Sequence, residues 1–429
     1  MKKKYRIILY TSIFLLCVVA SIILVVKKSN SVYEEESKPK VVKHKSMLSM
    51  NLEQTAGSGD YKTVTQSKWP TEGYKFNAEL SRCENGSTLS WDDTKKAVIV
   101  SGNLSDKCYV YFDIYQPTLA EYIKSQYTGT QGENNIYYHD SDLANGAGDN
   151  SYRYAGANPN NFVCFGTTES PCPTDNLYRI IGVFGENYHG VTGKQLVKLI
   201  KYDYMTTDEL GTDGDYSQTY KEWGMDSTYK GTYGDGERIG VYYWNYKATG
   251  SATNTWSTSL LNKTNLNTNF INNIGTTWAN KIATVTWKVG GNTWANIGTK
   301  TSSVAYTNEI TNPVTTNTTD NATTYSAKIG LMYVSDYGFA ASPDAWTLTM
   351  SSYNNTTATN NNWMYMGLYE WTISRDADTS DFAFDVFIDG GVYDDNVNHN
   401  NGVRASFNLE SSVSYVSGSG SMSDPIVIN

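Results

Sequence analysis

Two stretches near the C-terminal end hold residue types suited to gripping a sugar. Trp363-Met364-Tyr365-Met366-Gly367-Leu368-Tyr369 follows the Asn/Thr tract Ser351–Asn362 and packs three ring-bearing side chains, Trp363, Tyr365 and Tyr369, into seven positions. Such rings offer a flat apolar face with a polar tip. Asp394-Asp395-Asn396 comes next, with Asn398–Asn401 behind it and Arg404 on the following Val403-Arg404. Carboxylates, amides and a guanidinium supply the acceptors and donors that hydroxyl groups need. Trp363, Tyr365, Tyr369, Asp394, Asp395, Asn396 and Arg404 are therefore the candidate ligand-binding residues. Each has a plainer use: core packing for Trp363 and Trp371, a solvated turn for the Asp/Asn set, and pairing with a core-edge carboxylate for Arg404.

Other chemistries have weaker footing. Hard oxygen donors gather at Asp140/Asp142/Asp149, at Asp213/Asp215 and at Asp389/Asp394/Asp395. Calcium is the cofactor such loops would take. None of the three matches the EF-hand spacing, and solvated turns are the default. No other cofactor is indicated. A Ser or Cys nucleophile needs a base within hydrogen-bond reach. His139, His189 and His399 read as solvated loop histidines, and no Gly-x-Ser-x-Gly elbow accompanies them. No pair of carboxylates stands out for glycoside cleavage. No catalysis is expected.

The elements that would position these residues begin at a membrane. Lys2, Lys3, Lys4 and Arg6 precede twenty uncharged residues, 7–26, closed by Lys27-Lys28. At about 1.5 Å per residue this stretch just spans a bilayer. It is too long for a signal peptide's apolar region and has no fitting cleavage site. The expectation is an uncleaved single-pass anchor in the cell membrane, N-terminus inside and C-terminal domain extracellular. Cys83, Cys108, Cys164 and Cys172 remain outside. An even count in an exported chain suggests disulfides with three connectivities; proximity favours Cys83–Cys108 and Cys164–Cys172.

Composition fits an exposed body. The first thirty residues hold six Lys/Arg and no Asp/Glu, which leaves the rest with 28 basic against 43 acidic side chains, a net of −15. That argues against nucleic acid as a partner, since it is bound through basic patches. The chain has 34 Tyr, 12 Phe and 11 Trp but only 18% charged residues, a bias suited to short strands joined by polar turns.

Five segments follow: the anchor 1–28, a stalk 29–70 with a short apolar patch at Met47–Leu52, a small β module 71–116, a helical connector 117–135, and an α+β surface domain 136–429. In the module, Cys108–Tyr115 alternates Tyr109, Tyr111 and Asp113 with Val110, Phe112 and Ile114. In the connector, Thr118 caps a helix to Tyr127. The last segment opens with a hairpin of 177–184 and 195–201. Trp256, Leu260, Phe270, Ile274, Trp278 and Ile282 mark an amphipathic helix. Trp287–Thr307 and Val314–Thr324 read as polar loops, Ser335–Ala341 as a turn, and the tail as short strands. The fold class is α+β.

Several strings are similar to those of a functionally uncharacterised family of membrane-anchored surface proteins of low-GC Gram-positive bacteria. They are 149–156, 160–166, 178–184, 328–333 with 335–338, 370–374 and 402–404. Ala405 departs from the Pro that commonly follows the family's Gly-Val-Arg. The helix, Trp-bearing strand and final Gly-Val-Arg strand also resemble, more distantly, the closing half of C-type-lectin-like and formylglycine-generating-enzyme-like domains. The latter's catalytic cysteines and the sugar-and-calcium tripeptides of true C-type lectins are missing. These resemblances imply a surface protein and carry no activity. The expected function is an adhesin-like or glycan-binding domain at the cell surface, with a glycan or protein as ligand. The rivals are a structural envelope component without a ligand and a variable-loop ligand-binding protein.

Overall fold

The computed structural model describes residues 48–429 except 66–67, 71–72, 104, 224–227 and 314–322. The expected anchor and its span 7–26, stalk residues 29–47 and most of the expected loop at 314–324 lie outside these. Among the described residues no helix is long and apolar enough to cross a membrane. The chain divides into two units, Met1–Tyr115 and Gln116–Asn429.

In the first unit β1 (Leu48–Glu53), β2 (Tyr61–Val64), β3 (Tyr74–Cys83), β4 (Thr88–Asp92), β5 (Ala97–Ser101) and β6 (Cys108–Ile114) build a sheet and a hairpin. The sheet runs β2-β1-β6-β3, and β4 pairs with β5. Residues 48–64, expected in the stalk, are thus part of the module. Leu48, Met50 and Leu52 recur with the two-residue period of a strand rather than that of a helical turn, and β1 lies parallel to β6. Phe112 is fully buried under Trp69, Phe76 and Trp91, whose ring centres lie 5.7–5.9 Å away. The alternation expected in β6 holds, with Val110 and Phe112 buried and Tyr109 and Tyr111 half-buried. Cys83 and Cys108 sit opposite each other on β3 and β6 and are disulfide-bonded.

The second unit is mixed α+β. It opens with α1 (Leu119–Ser125), capped by Thr118 and Glu121. Leu119 and Ile123 enter the unit's main core, so segment 117–135 is not a free connector. Next come β7 (Ile136–His139), β8 (Ser151–Tyr154), β9 (Phe162–Cys164), β10 (Leu177–Phe184), β11 (Leu196–Lys201), β12 (Tyr216–Thr219) and β13 (Gly240–Tyr242). Wide helical turns over Leu261–Phe270 lead into α2 (Ile271–Ala279), then β14 (Val285–Lys288), β15 (Gly291–Asn292), β16 (Thr324–Ala327) and β17 (Ile329–Gly330). The chain closes with α3 (Val334–Ala340), β18 (Glu370–Asp376), β19 (Phe382–Val386), β20 (Val392–Asn396), β21 (Asn401–Gly402) and β22 (Ser406–Asn408), before the last short pair.

One sheet has the order β17-β22-β11-β10-β8-β7 and a second β12-β13-β21-β18-β19-β20. The expected hairpin of β10 and β11 is present. Every residue of β10, β11 and β18 is buried, so both faces of each are covered. At Gly182, beside the bulge in β10, an added Cβ would sit 2.2 Å from the Tyr152 carbonyl oxygen; only glycine admits that approach of β8. Cys164 and Cys172 are disulfide-bonded.

Three expectations fail here. Ser335–Ala341 is largely helix α3, which shows no amphipathic stripe because all seven residues of α3 are buried. Trp287–Thr307 is not all loop: it holds the end of β14, β15 and a helix over Ser302–Tyr306. The amphipathic helix is shorter than expected, since Trp256 lies in a turn upstream of it and Gly275, at φ +75°, interrupts α2.

A charged cluster ties these elements together. The Asp336 carboxylate on α3 accepts from Lys198 Nζ of β11 (2.7 Å), from Tyr188 Oη (2.7 and 2.8 Å) and from the Tyr333 backbone N–H (3.0 Å). Arg153 Nη1 of β8 lies 3.7 Å away. Arg153 also donates to Asp149 and Ser151, at 2.8 Å each, and its guanidinium lies over the rings of Phe184, Tyr306 and Phe339. Lys198 and Asp336 are fully buried. Burial pulls the Lys198 ammonium below its ordinary value, and the Asp336 charge opposes that fall. Next to them Glu309 caps α3 by accepting from the Val334 and Ser335 backbone N–H groups and the Ser374 hydroxyl.

Removing one member of such a cluster strands the others in a low-dielectric interior. Asp336→Asn lowers unfolding free energy by about 3–5 kcal/mol in urea titration. Lys95→Ala, which removes the solvent-exposed ion pair with Asp92, changes it by less than about 1 kcal/mol. In the first unit, Cys83→Ser with Cys108→Ser opens a 25-residue closure and costs about 3 kcal/mol, read as a lowered melting transition.

Candidate functional site

The second sheet of the larger unit carries a pocket of about 650 Å³, lined by Tyr243, Tyr369, Phe387, Asp395, Asn398, His399, Asn400 and Asn401. Strand register explains the grouping. Asp385 is opposite Tyr393 and Trp371, and Asp395 is opposite Ala383. Side chains alternate along a strand, so Asp385, Tyr393 and Asp395 share one face. Phe387 and Tyr369 continue that face beyond Asp385 and Trp371. Asn401 of β21 joins from the other side, hydrogen-bonded through Nδ2 to Asp385 (2.9 Å).

Four of the rings form a connected strip, and Tyr243 and Tyr246 form a second pair. Phe387 meets Tyr369 edge to face at 4.9 Å and Tyr393 at 4.6 Å. Tyr393 stacks on Trp294 at 5.7 Å. Tyr243 stacks on Tyr246 at 4.7 Å, and Tyr246 is 45% exposed. Facing the rings are the polar groups. Asp395 Oδ1 lies 2.6 Å from His399 Nδ1, which leaves Nε2 as the ring nitrogen open to a ligand. Asn398 is exposed and Asn400 half-buried.

Asp385 lies beneath this rim. It is fully buried, and Oδ1 has no hydrogen-bond partner. Burial, followed by the nearby Asp395 charge, pushes its carboxyl well above the usual range. On the opposite face Asp394 and Asp376 make a second acidic pair. Burial first, then the Asp394 charge, pushes Asp376 up to about 6, and burial raises Asp394 as well.

Of the seven candidate ligand residues, the pocket brings together two, Tyr369 and Asp395. Asp394 and Asn396 fall on the other face by strand parity, with Asn396 Nδ2 donating to Asp381 at 3.2 Å. Trp363 is buried, its Nε1 donates to the Tyr154 carbonyl at 2.8 Å, and its ring lies 4.6 Å from the Arg179 guanidinium. Tyr365 is buried and donates to the Ile388 carbonyl. Arg404 is buried, donating to Glu370 Oε1 at 2.8 Å and to the Met364 carbonyl at 2.6 Å. Trp371 is core, with Nε1 donating to the Tyr242 carbonyl. The plainer readings of Trp363, Trp371 and Arg404 thus hold.

Sequence reasoning passed over Tyr243, Phe387 and Asp385. Asp385 carried a signal: a carboxylate inside Phe382-Ala383-Phe384-Asp385-Val386-Phe387-Ile388 must be buried, and acidic residues are seldom buried without a partner. Tyr243, distant in sequence, carried none. The histidines differ from expectation too. His139 and His189 are buried, not solvated. Burial holds the His139 ring well below its ordinary value, neutral between Phe339 and Trp346. His189 is bonded on both nitrogens to the backbone of Phe184 and Val191. Among the described histidines only His399 reaches the surface.

The three acidic groups, for which turns were the default reading and calcium the alternative, hold carboxylates that accept hydrogen bonds within the protein. Asp140, Asp149 and Asp389 accept from backbone N–H groups two or three residues ahead. Asp215 is buried and accepts from Tyr246, Leu260 and Leu261, and Asp213 accepts from Asn269. Among the described residues no group of three or more His, Cys, Asp and Glu side chains is placed to hold a metal ion. Compared with protein-family models, curated proteins and solved structures, the chain matches none of them.

Asp376 yields a pH prediction with a definite sign. Its folded-state pKa, about 6, exceeds the roughly 3.9 of an unfolded Asp. Between those values the folded state binds more protons, so this group's contribution is complete below about pH 4 and lost as pH rises through about 6. Melting temperature measured from pH 4 to 7 for wild type minus Asp376→Asn falls over that interval.

Proposed function

We propose that the larger unit is a surface-displayed binding domain whose pocket takes a saccharide. In this reading the chain is anchored in the cell membrane through residues 7–26 with its body outside, as the resembling surface-protein family implies, and the two disulfides suit an oxidising exterior. The observation that carries the proposal is the pairing of half-exposed aromatic side chains, Tyr369, Phe387 and Tyr243, with a facing rim of Asp395, Asn398, His399, Asn400 and Asn401. Pockets that orient small polar ligands combine apolar walls with a few placed polar groups. Calcium remains part of the proposal only as a ligand-bridging ion recruited by Asp395.

Purified full-length protein on a glycan array, run with Ca²⁺ and again with chelator, tests this. Reproducible glycan hits are expected, and a blank array from folded protein overturns the reading. Tyr369→Ala and Asp395→Asn each weaken the best hit at least about tenfold, equivalent to about 1.4 kcal/mol. Trp363→Phe lowers melting temperature but leaves affinity within about twofold, because Trp363 belongs to the core.

A further inference from the structure

A second crevice lies elsewhere on the same unit, lined by Thr255, Trp256, Ser257, Val289, Thr324, Tyr325 and Arg375. Its accessible volume is about 10 Å³, space for roughly one water-sized particle. Arg375 is 1% exposed and donates Nε to the Val289 carbonyl at 3.0 Å. Its Nη1 and Nη2 have no hydrogen-bond partner, and neither has Nε1 of buried Trp256 beside it. Three buried donor atoms thus belong to residues lining one small space with no acceptor assigned to them.

Elsewhere in this molecule buried guanidinium groups are provided for. Arg404 has the Glu370 carboxylate, and Arg153 has Asp149 at 2.8 Å with Asp336 3.7 Å from its Nη1, so that donor, although it makes no hydrogen bond, faces a carboxylate. Arg179, without a carboxylate, donates to Asn161, Pro159 and Trp363. Arg375 is different. Its neighbour Asp376 spends its oxygens on the Asp378 backbone N–H and the Thr379 hydroxyl. Burial draws the Arg375 guanidinium below its ordinary value, and the Asp376 charge only opposes this. Leaving a buried cation's donors unmet costs several kcal/mol, and a bound anion meets that cost most directly.

We propose that this crevice is a binding site for a small monovalent anion of chloride size, held by Arg375 Nη1 and Nη2 and by Trp256 Nε1. Thr255, Ser257 and Thr324 also line the crevice, and Ser257 and Thr324 are exposed, so the ion exchanges with solvent. Size sets the ligand class: phosphate, sulfate and organic carboxylates exceed the space, whereas chloride and bromide fill it. The anion fastens β18 to the turn at Trp256, and its occupancy is read in stability.

Melting temperature of the full-length protein is measured in sodium chloride, sodium bromide and sodium gluconate at equal ionic strength. A saturable rise in chloride and bromide, absent in gluconate, is expected. Equal curves in all three salts overturn the site. Arg375→Met is expected to abolish the halide-specific rise, and an undiminished rise in that variant also overturns the assignment. Should the variant fail to fold, chloride-35 line broadening by wild type, reversed by bromide, replaces it; no broadening refutes the proposal. A crystal soaked in bromide gives an anomalous peak beside Arg375 if the assignment is right and none there if water fills the crevice.

Discussion

The Asp336 carboxylate is the point from which the larger unit is built. It draws Lys198 of β11 and Arg153 of β8 toward one helix end, and Tyr188 and the Tyr333 N–H complete its shell. Two cations and an anion taken from water must find good geometry or destabilise the fold. That requirement fixes the spacing of β8, β10 and β11 relative to α3 more strictly than apolar packing does, since cores accept many apolar substitutions of similar volume. The aromatic cage of Phe184, Tyr306 and Phe339 around Arg153 holds the cation where Asp149 and Asp336 can reach it.

The same economy recurs at β18. This strand is buried along its whole length, yet it carries Glu370, Thr372, Ser374, Arg375 and Asp376. Glu370 meets Arg404, Thr372 donates to the Phe384 carbonyl, and Ser374 meets Glu309. Specific polar partners, together with the buried core residues Trp371 and Ile373, determine where this strand sits. Tyr369, the residue just before it, lines the aromatic pocket, while Arg375 near its end lines the second crevice. The two proposed sites therefore lie toward opposite ends of one element of the scaffold.

How much of this was readable in the chain follows from its physics. The alternation in β6, the β10/β11 hairpin, the Thr118 cap and the nearest-neighbour cysteine pairing were legible because each rests on local periodicity, side-chain capping or short separation. Helix α3 was not: a helix buried on every side carries no stripe to read. The stalk was extended too far because Leu48, Met50 and Leu52 find their partners in β6, about sixty residues later. For the site, the density of aromatics along the chain does not set exposure; strand parity and burial do. Parity sends Asp395 to the pocket and Asp394 to the opposite face; burial takes Trp363 and Arg404 into the core.

The turn between β20 and β21 has one further implication. Val397 and Asn401 at its ends are buried, whereas Asn398 and His399 between them are exposed and Asn400 is half-buried. Its conformation is thus set by the ends, and the side chains facing the pocket contribute little to folding. Substitutions at 398–400 are therefore expected to leave the scaffold standing, so the lining of the proposed pocket can change independently of the framework around Asp336.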